Sequence, residues 1–262
     1  MKKSFTLFIL FIFIFSGCSQ KNRNIYIADF SKFFSNYQGS FVLLDYSSNF
    51  YIKYNVEQCN KRFSPCSTFK IPNSLIGLET GVIPDENFIL KWDGVKRDID
   101  LWNQDHTLKT AIKYSVVWYY QEIARRIGDS RMKEFINKIG YGNNDISGGI
   151  DKFWLMNSLE ISTDEQVEFL KKFYSNQLPF SHKNLDIVKS ITILDSNENY
   201  IFRGKTGSGH IQSDNNGLGW FVGYVTQKDS TYIFAANITG EGANGMKAKE
   251  IVIEILKSLK IM

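Results

Sequence analysis

Ser67 and Lys70 stand three positions apart, and on a helix that spacing puts both side chains on one face. A serine hydroxyl is a weak nucleophile until a base takes its proton. A lysine one turn further on serves as that base only when neutral, and burial is what drives an ammonium neutral. A serine at a helix start also lies beside free N–H groups and positive potential, where an oxyanion would be stabilised. Alone, Ser67-Thr68-Phe69-Lys70 is a weak signal, because most such tetrapeptides are a capping serine followed by a solvated lysine. Lys205-Thr206-Gly207, followed by Ser208-Gly209, adds support. It ends an expected strand and sets a cation and a hydroxyl at a strand edge, where a substrate carboxylate could bind, with a glycine that lets a ligand approach the backbone.

Three further groups lie between these two. Ser115-Val116-Val117 falls inside a helical stretch, and Ser115 offers a second hydroxyl able to shuttle a proton, although a mid-helix serine ordinarily bonds its own backbone. Tyr141-Gly142-Asn143 reads by itself as a turn after a helix. Phe153-Trp154-Leu155 reads as core, yet the indole N–H of Trp154 is a donor that needs a partner.

The elements that must position these residues are legible in outline. Phe41–Leu44 and Phe50–Tyr54 form a hairpin about Ser47-Ser48-Asn49. Helices are expected over Ser67–Glu79, Leu108–Ile127, Ser130–Ile139 and Asn184–Ile193, the first three each followed by a glycine within two residues. Ser162-Thr163-Asp164-Glu165 is a capping box opening another. Strands are expected over Asn199–Lys205, Leu218–Thr226 and Thr231–Ile238, the last two joined by the turn Gln227–Ser230, and Lys247–Leu259 closes the chain as a helix. Strands at both ends and helices between imply an α+β fold: an antiparallel sheet flanked by helices, with a helical subregion.

Taken together, the order of the motifs says more than any member. S-T-F-K, S-x-V, Y-G-N, a W-L pair and K-T-G occur in this order, with Ile71-Pro72-Asn73 after the first and Gly219-Trp220-Phe221-Val222-Gly223 after the last. The series resembles that of the class D, oxacillinase-type, serine β-lactamases, over nearly the whole chain from about residue 38. The resemblance implies the penicillin-binding and serine β-lactamase type of fold and hydrolysis of β-lactam antibiotics. It implies Ser67 as the acylated nucleophile and Lys70, carboxylated by CO2 or bicarbonate, as the base for both acylation and deacylation. Trp154 is implied to hold that carboxylate through its N–H, with Val117 as the apolar wall and Ser115 as the proton relay. Lys205, Thr206, Gly207 and Ser208 are implied to bind substrate, with the backbone N–H groups of Ser67 and Ser208 as the oxyanion hole. No bound cofactor is implied. The family often carries an arginine in its C-terminal helix for the substrate carboxylate; here Lys247, Ala248 and Lys249 stand in that neighbourhood, and a lysine is a point charge, not a bidentate fork. A penicillin-binding sensor domain and a D,D-peptidase share S-x-x-K and K-T-G; Trp154 and Val117 favour the hydrolase over both.

The N-terminus bounds the compartment. Lys2 and Lys3 precede the apolar run Leu7–Phe15 and then Ser16-Gly17-Cys18, the order of an export signal. Residues 1–17 are expected to be a signal peptide, 18–35 a tether and 36–262 one catalytic unit, periplasmic or anchored as a lipoprotein through Cys18. With 31 basic and 27 acidic residues and no run of Lys or Arg, the composition gives no sign of a nucleic-acid partner. The scattered His106, His182 and His210 give no metal-ligand spacing. Cys59 and Cys66 are either a disulfide in an oxidising compartment or two buried thiols. Oligomeric state is not legible.

Overall fold

The structure, a computed structural model, describes residues 24–211 and 216–262. The elements run β1 (Asn24–Ile27), α1 (Ser31–Phe34), β2 (Gln38–Asp45), β3 (Phe50–Tyr54), α2 (Val56–Asn60), a 3₁₀ turn Cys66–Phe69, α3 (Lys70–Glu79), β4 (Ile89–Leu90), β5 (His106–Thr107), α4 (Leu108–Lys113), α5 (Val117–Ile127), α6 (Asp129–Ile139), α7 (Thr163–Tyr174), α8 (His182–Ile191), β6 (Ile193–Ser196), β7 (Tyr200–Ile211), β8 (Asn216–Gln227), β9 (Thr231–Gly240) and α9 (Gly245–Ser258). Seven strands make one sheet in the order β1-β3-β2-β9-β8-β7-β6. Every neighbouring pair is antiparallel except β1 and β3, which run parallel.

The central strands read as continuous apolar runs because both faces of the sheet are covered. In β2, Val42 and Leu44 join the core shared with α3, α5 and α7, while Phe41 and Leu43 join a second core under α9 and α1. In β8, Trp220 and Val222 face the first core and Phe221 and Val225 the second. The chain is therefore a sheet between two unequal helical layers, α+β as expected.

Several elements follow their local signals closely. The Ser162 hydroxyl accepts from Glu165 N, and the Glu165 carboxylate accepts from Ser162 N at 2.9 Å, the reciprocal capping box. Gly140, at φ 63°, ends α6. The hairpin of β2 and β3 has the expected turn.

Four expectations need correction. The tether does not extend to residue 35: Asn24–Ile27 pairs in register with Phe50–Lys53, and Phe30 and Phe34 are buried in the second core. Pairing with β3 and the burial of Phe30 and Phe34 give this stretch its place on the fold, while Ile25 and Ile27 stay exposed. The helix expected over Leu108–Ile127 is two helices, broken at Ser115. The strand expected to end at Lys205 continues through Ile211, so that K-T-G lies inside β7. The helix expected from Asn184 to Ile193 ends at Ile191, and Ile193 already pairs with Arg203 as part of β6. The signal segment and Cys18 lie outside the described residues. Cys59 and Cys66 are buried free thiols.

Candidate active site

The nucleophile position is built on a tight turn. Cys66–Phe69 is a 3₁₀ turn that runs directly into α3, so Ser67 precedes the first α-helical residue, Lys70, by three positions. Cys66 holds φ at 49°, a left-handed conformation unfavourable for a side-chain-bearing residue. Thr68 clamps the turn: its hydroxyl donates to Pro65 O at 2.7 Å and accepts from Gln166 Nε2 at 2.9 Å. Lys70 is fully buried, and its Nζ lies 2.8 Å from Ser67 Oγ. Burial, and then the nearby positive charge of Lys205, hold Lys70 well below the usual lysine range, which favours the neutral amine.

The surroundings of Lys70 are aromatic. Its Nζ lies 5.3 Å from the centroid of the Tyr120 ring. Phe69 stacks on Trp154 with centroids 5.4 Å apart and meets Phe153 and Tyr141 edge-on. Trp154 is fully buried, yet its indole Nε1 has no hydrogen-bond partner in the structure. A buried donor without an acceptor costs about 1–3 kcal/mol, so this N–H calls for an acceptor that the protein itself does not place there.

Ser115 arrives by a different route from the one its sequence context implied. Val116 N donates to Ala111 O at 2.9 Å and Ser115 N to Ile112 O at 3.3 Å, the paired bonds of a Schellman C-cap on α4. Ser115 occupies the left-handed position of that motif, at φ 57°, where glycine is usual. The break turns its hydroxyl to Lys205, whose Nζ donates to Ser115 Oγ at 3.0 Å and to Thr206 O at 2.9 Å. Burial lowers Lys205 to about 7. Val117 is the first residue of α5 and half-buried.

Strand β7 packs tightly against the nucleophile turn. A Cβ at Gly207 would come within 3.0 Å of Pro65 O and 3.2 Å of Thr68 Cγ2. One at Gly209 would overlap Met156 Sδ and lie 2.8 Å from Cys66 Sγ. Those glycines look like turn residues in the sequence but serve close packing within a strand. Thr206 is half-buried; Ser208 is exposed, and its hydroxyl accepts from Gly245 N at 2.9 Å, tying α9 to β7. Lys247 is exposed and pairs with Glu250, whereas Lys249 is half-buried and lines a cavity with Lys205 and Thr206.

The structure thus links Ser67 to Lys70 and Ser115 to Lys205, with Trp154 stacked on the phenylalanine between the first two. It adds residues that sequence reasoning missed. Ser64 donates its hydroxyl to Trp154 O and accepts from Met156 N, both at 2.9 Å, while its carbonyl accepts from Trp220 Nε1 at 2.9 Å. Gln166 joins Thr68 to Tyr141. Asn143 bonds Glu160 O and Ser158 O across the loop that carries Trp154, so the Y-G-N turn braces that loop. Ser64 and Gln166 carry no local signal, their partners lying 25 to 156 residues away in the chain, whereas Asn143 belongs to the Y-G-N group, whose brace across the loop its sequence context did not show.

Comparison with known proteins agrees with this geometry. Residues 19–257 match the family described as the penicillin binding protein transpeptidase domain. The chain is 42% identical over 242 residues to the probable β-lactamase YbxI of Bacillus subtilis, covering 92% of this chain and 88% of that protein. Among solved structures, the class D β-lactamase BAT-2 superposes with a TM-score of 0.84 at 42% identity, covering 90% of this chain and 97% of that one. The C-terminal domain of the Bacillus licheniformis BlaR penicillin receptor superposes with a TM-score of 0.89 at 37% identity, covering 92% and 98%. A nucleophile-type serine beside a buried lysine, in this fold and at these identities, makes the chain a member of the class D serine β-lactamase family.

Proposed function

We propose that the chain hydrolyses β-lactam antibiotics, penicillins among them, through an acyl-enzyme on Ser67, and so confers resistance to them. The observation that carries this reading is the buried Lys70 amine 2.8 Å from Ser67 Oγ, in a pocket where the Trp154 N–H lacks an acceptor. A neutral buried amine adds to CO2, and Trp154 Nε1 is the donor that would hold the resulting carboxylate. Carried on Lys70, that carboxylate supplies an anionic base stronger than the solvent and fixed beside the nucleophile.

In the acylation step Ser67 Oγ attacks the lactam carbonyl as its proton passes to the base at Lys70. The carbonyl oxygen, now negative, faces the backbone N–H groups of Ser67 and Ser208. The C–N bond of the ring breaks, and the leaving nitrogen takes a proton from Ser115 Oγ, which is replenished from Lys205. Thr206 and Lys205 hold the substrate carboxylate. The proton taken up at position 70 passes on to restore Lys205, leaving the base free; water then attacks the Ser67 ester and gives its proton to that base, which hands it to Ser67 Oγ as the ester C–O bond breaks and the opened product leaves. Val117 supports this by keeping the wall beside Lys70 apolar. The protein is exported, residues before Cys18 being removed and Cys18 being the candidate lipid attachment point.

The likeness to a penicillin receptor domain supports a second reading, a sensor that is acylated and stays so. Steady-state assay against a penicillin, with and without bicarbonate, separates them. Many turnovers per enzyme, faster with bicarbonate, support the hydrolase; one equivalent consumed with a persistent acyl adduct overturns it in favour of the sensor. Mass spectrometry of the natural mature protein tests export, and a retained Met1 would refute it.

A further inference from the structure

A cavity of about 460 Å³ lies beside the catalytic cleft; it shares Lys205 and Thr206 with the cleft, and the rest of its lining has no part in the chemistry above. It is bounded by α4, the junction of α8 with β6, the edge of β7 and the first turns of α9. Lys109, Lys113 and Lys249 line it, Lys205 forms the wall shared with the cleft, and apolar residues such as Ile193 and Met246 make up much of the rest. Its volume is that of a small-molecule site. No acidic residue lines it. On α9, Lys247 and Lys257 each pair with a glutamate of their own helix, at 2.9 Å and 3.0 Å. Lys249, the α9 lysine that turns to the cavity, has no ion-pair partner among the described residues, and neither do Lys109 and Lys113.

We propose that this cavity binds a soluble amphipathic carboxylate, a single anionic head on an apolar body, and that its occupancy slows the reaction by placing negative charge beside Lys205. Cations set in a partly apolar wall concentrate anions, and Ile193 and Met246 offer surface to the body. The regulatory half rests on the hydrolase reading; the binding half does not. Lys205 is faced by Ser115 from the α4–α5 break and by Lys70 from α3, and burial has already brought it to about 7. An anion on its remaining side favours the ammonium. A lysine held in that form gives up its proton to Ser115 less readily, so protonation of the leaving nitrogen slows and the rate constant falls, not only the affinity for substrate.

The probe is octanoate, with acetate and 1-octanol as controls lacking the apolar body and the charge. Calorimetry on the mature enzyme should show one octanoate site, with both controls at least about tenfold weaker. The Lys109→Gln/Lys113→Gln/Lys249→Gln variant should weaken octanoate about tenfold or more, as should Met246→Glu, a change at an exposed residue. Ser67→Ala should leave octanoate binding unchanged. In turnover, octanoate should lower kcat for a penicillin in wild type. If the chain is acylated without turnover, the same effect is read on the acylation rate, and the binding arm stands apart from that failure. Binding unaltered in the triple variant and in Met246→Glu overturns the proposal, and so does inhibition that only raises KM, which would put octanoate in the catalytic cleft.

Discussion

The molecule buries two lysines within one site and treats them differently. Lys205 lies in strand β7 and is provided for: its ammonium donates to Ser115 Oγ and to Thr206 O. Lys70 Nζ makes one hydrogen bond among the described residues, to Ser67 Oγ, amid rings, and across the stacked Phe69 stands an indole donor with no acceptor among them. One pocket is complete as a set of hydrogen bonds and the other is not. A complete pocket suits a residue that passes protons and holds a substrate. An incomplete one suits a residue that acquires a group, since only an added acceptor would satisfy Trp154.

The largest effects should come from the incomplete pocket. Ser67→Ala should reduce penicillin hydrolysis at least about 10⁴-fold and abolish the adduct seen by intact mass after brief exposure to a slow β-lactam. Lys70→Ala should cost a similar amount, and the double variant little more, because nucleophile and base act as a unit. An adduct persisting on Ser67→Ala would remove the nucleophile assignment.

Trp154→Ala is the sharper test of incompleteness. It should leave acylation partly intact and slow deacylation by about 10²–10⁴-fold, the usual worth of general-base assistance. Enzyme equilibrated with ¹³C-bicarbonate should show a carbamate resonance in wild type and none in Lys70→Ala. Activity should fall at acidic pH and return with bicarbonate. A fully active wild type with no such resonance and no response to bicarbonate would show that the pocket is incomplete for some other reason.

The complete pocket carries its own cost, and pH exposes it. Lys205 is lowered from its ordinary 10.5 to about 7 in the folded protein. The folded state therefore binds fewer protons than the unfolded one between those values, and stability rises with pH across that window. The destabilisation is fully present below pH 7 and disappears as pH approaches 10.5. Lys205→Met, which removes the buried amine, should be more stable than wild type by about 1–3 kcal/mol at neutral pH. Thermal melts should show the gain shrinking toward pH 10. An equal gain at every pH would mean that packing, not protonation, is responsible.

How much of this was legible depended on whether the signal was local. The capping box at Ser162 and Glu165 is a four-residue pattern, and it formed as read. Gly207 and Gly209 invited a turn because strands rarely keep glycine; only the approach of the Pro65–Thr68 turn and of Met156 explains them. β1 exposes all four residues and owes its place to pairing with β3, a partner invisible until the fold exists. Ser67 lies against Lys70 and Ser115 against Lys205, while Ser64 and Gln166, which brace the Ser67 turn and the loop of Trp154, have no motif at all.

Ser115 is where legibility failed most instructively, and it yields the smallest and cleanest prediction. Apolar periodicity runs from Leu108 to Ile127 without interruption, so a single helix is the natural reading. The break is a Schellman cap whose left-handed position holds serine where glycine is usual. That substitution costs about 1 kcal/mol of backbone strain. Nothing in the stability of α4 or α5 explains keeping it, whereas the hydroxyl 3.0 Å from Lys205 Nζ does. Ser115→Gly should therefore separate the two roles. It should keep the fold and raise stability by up to about 1 kcal/mol, visible as a higher Tm. It should also lower kcat through loss of the proton relay. Ser115→Ala should lower kcat to the same degree with no gain in Tm, because alanine keeps the strain and loses the same hydroxyl. If Ser115→Gly is less stable than Ser115→Ala, the left-handed conformation is not strained. If either variant keeps full kcat, Lys205 does not exchange its proton through Ser115.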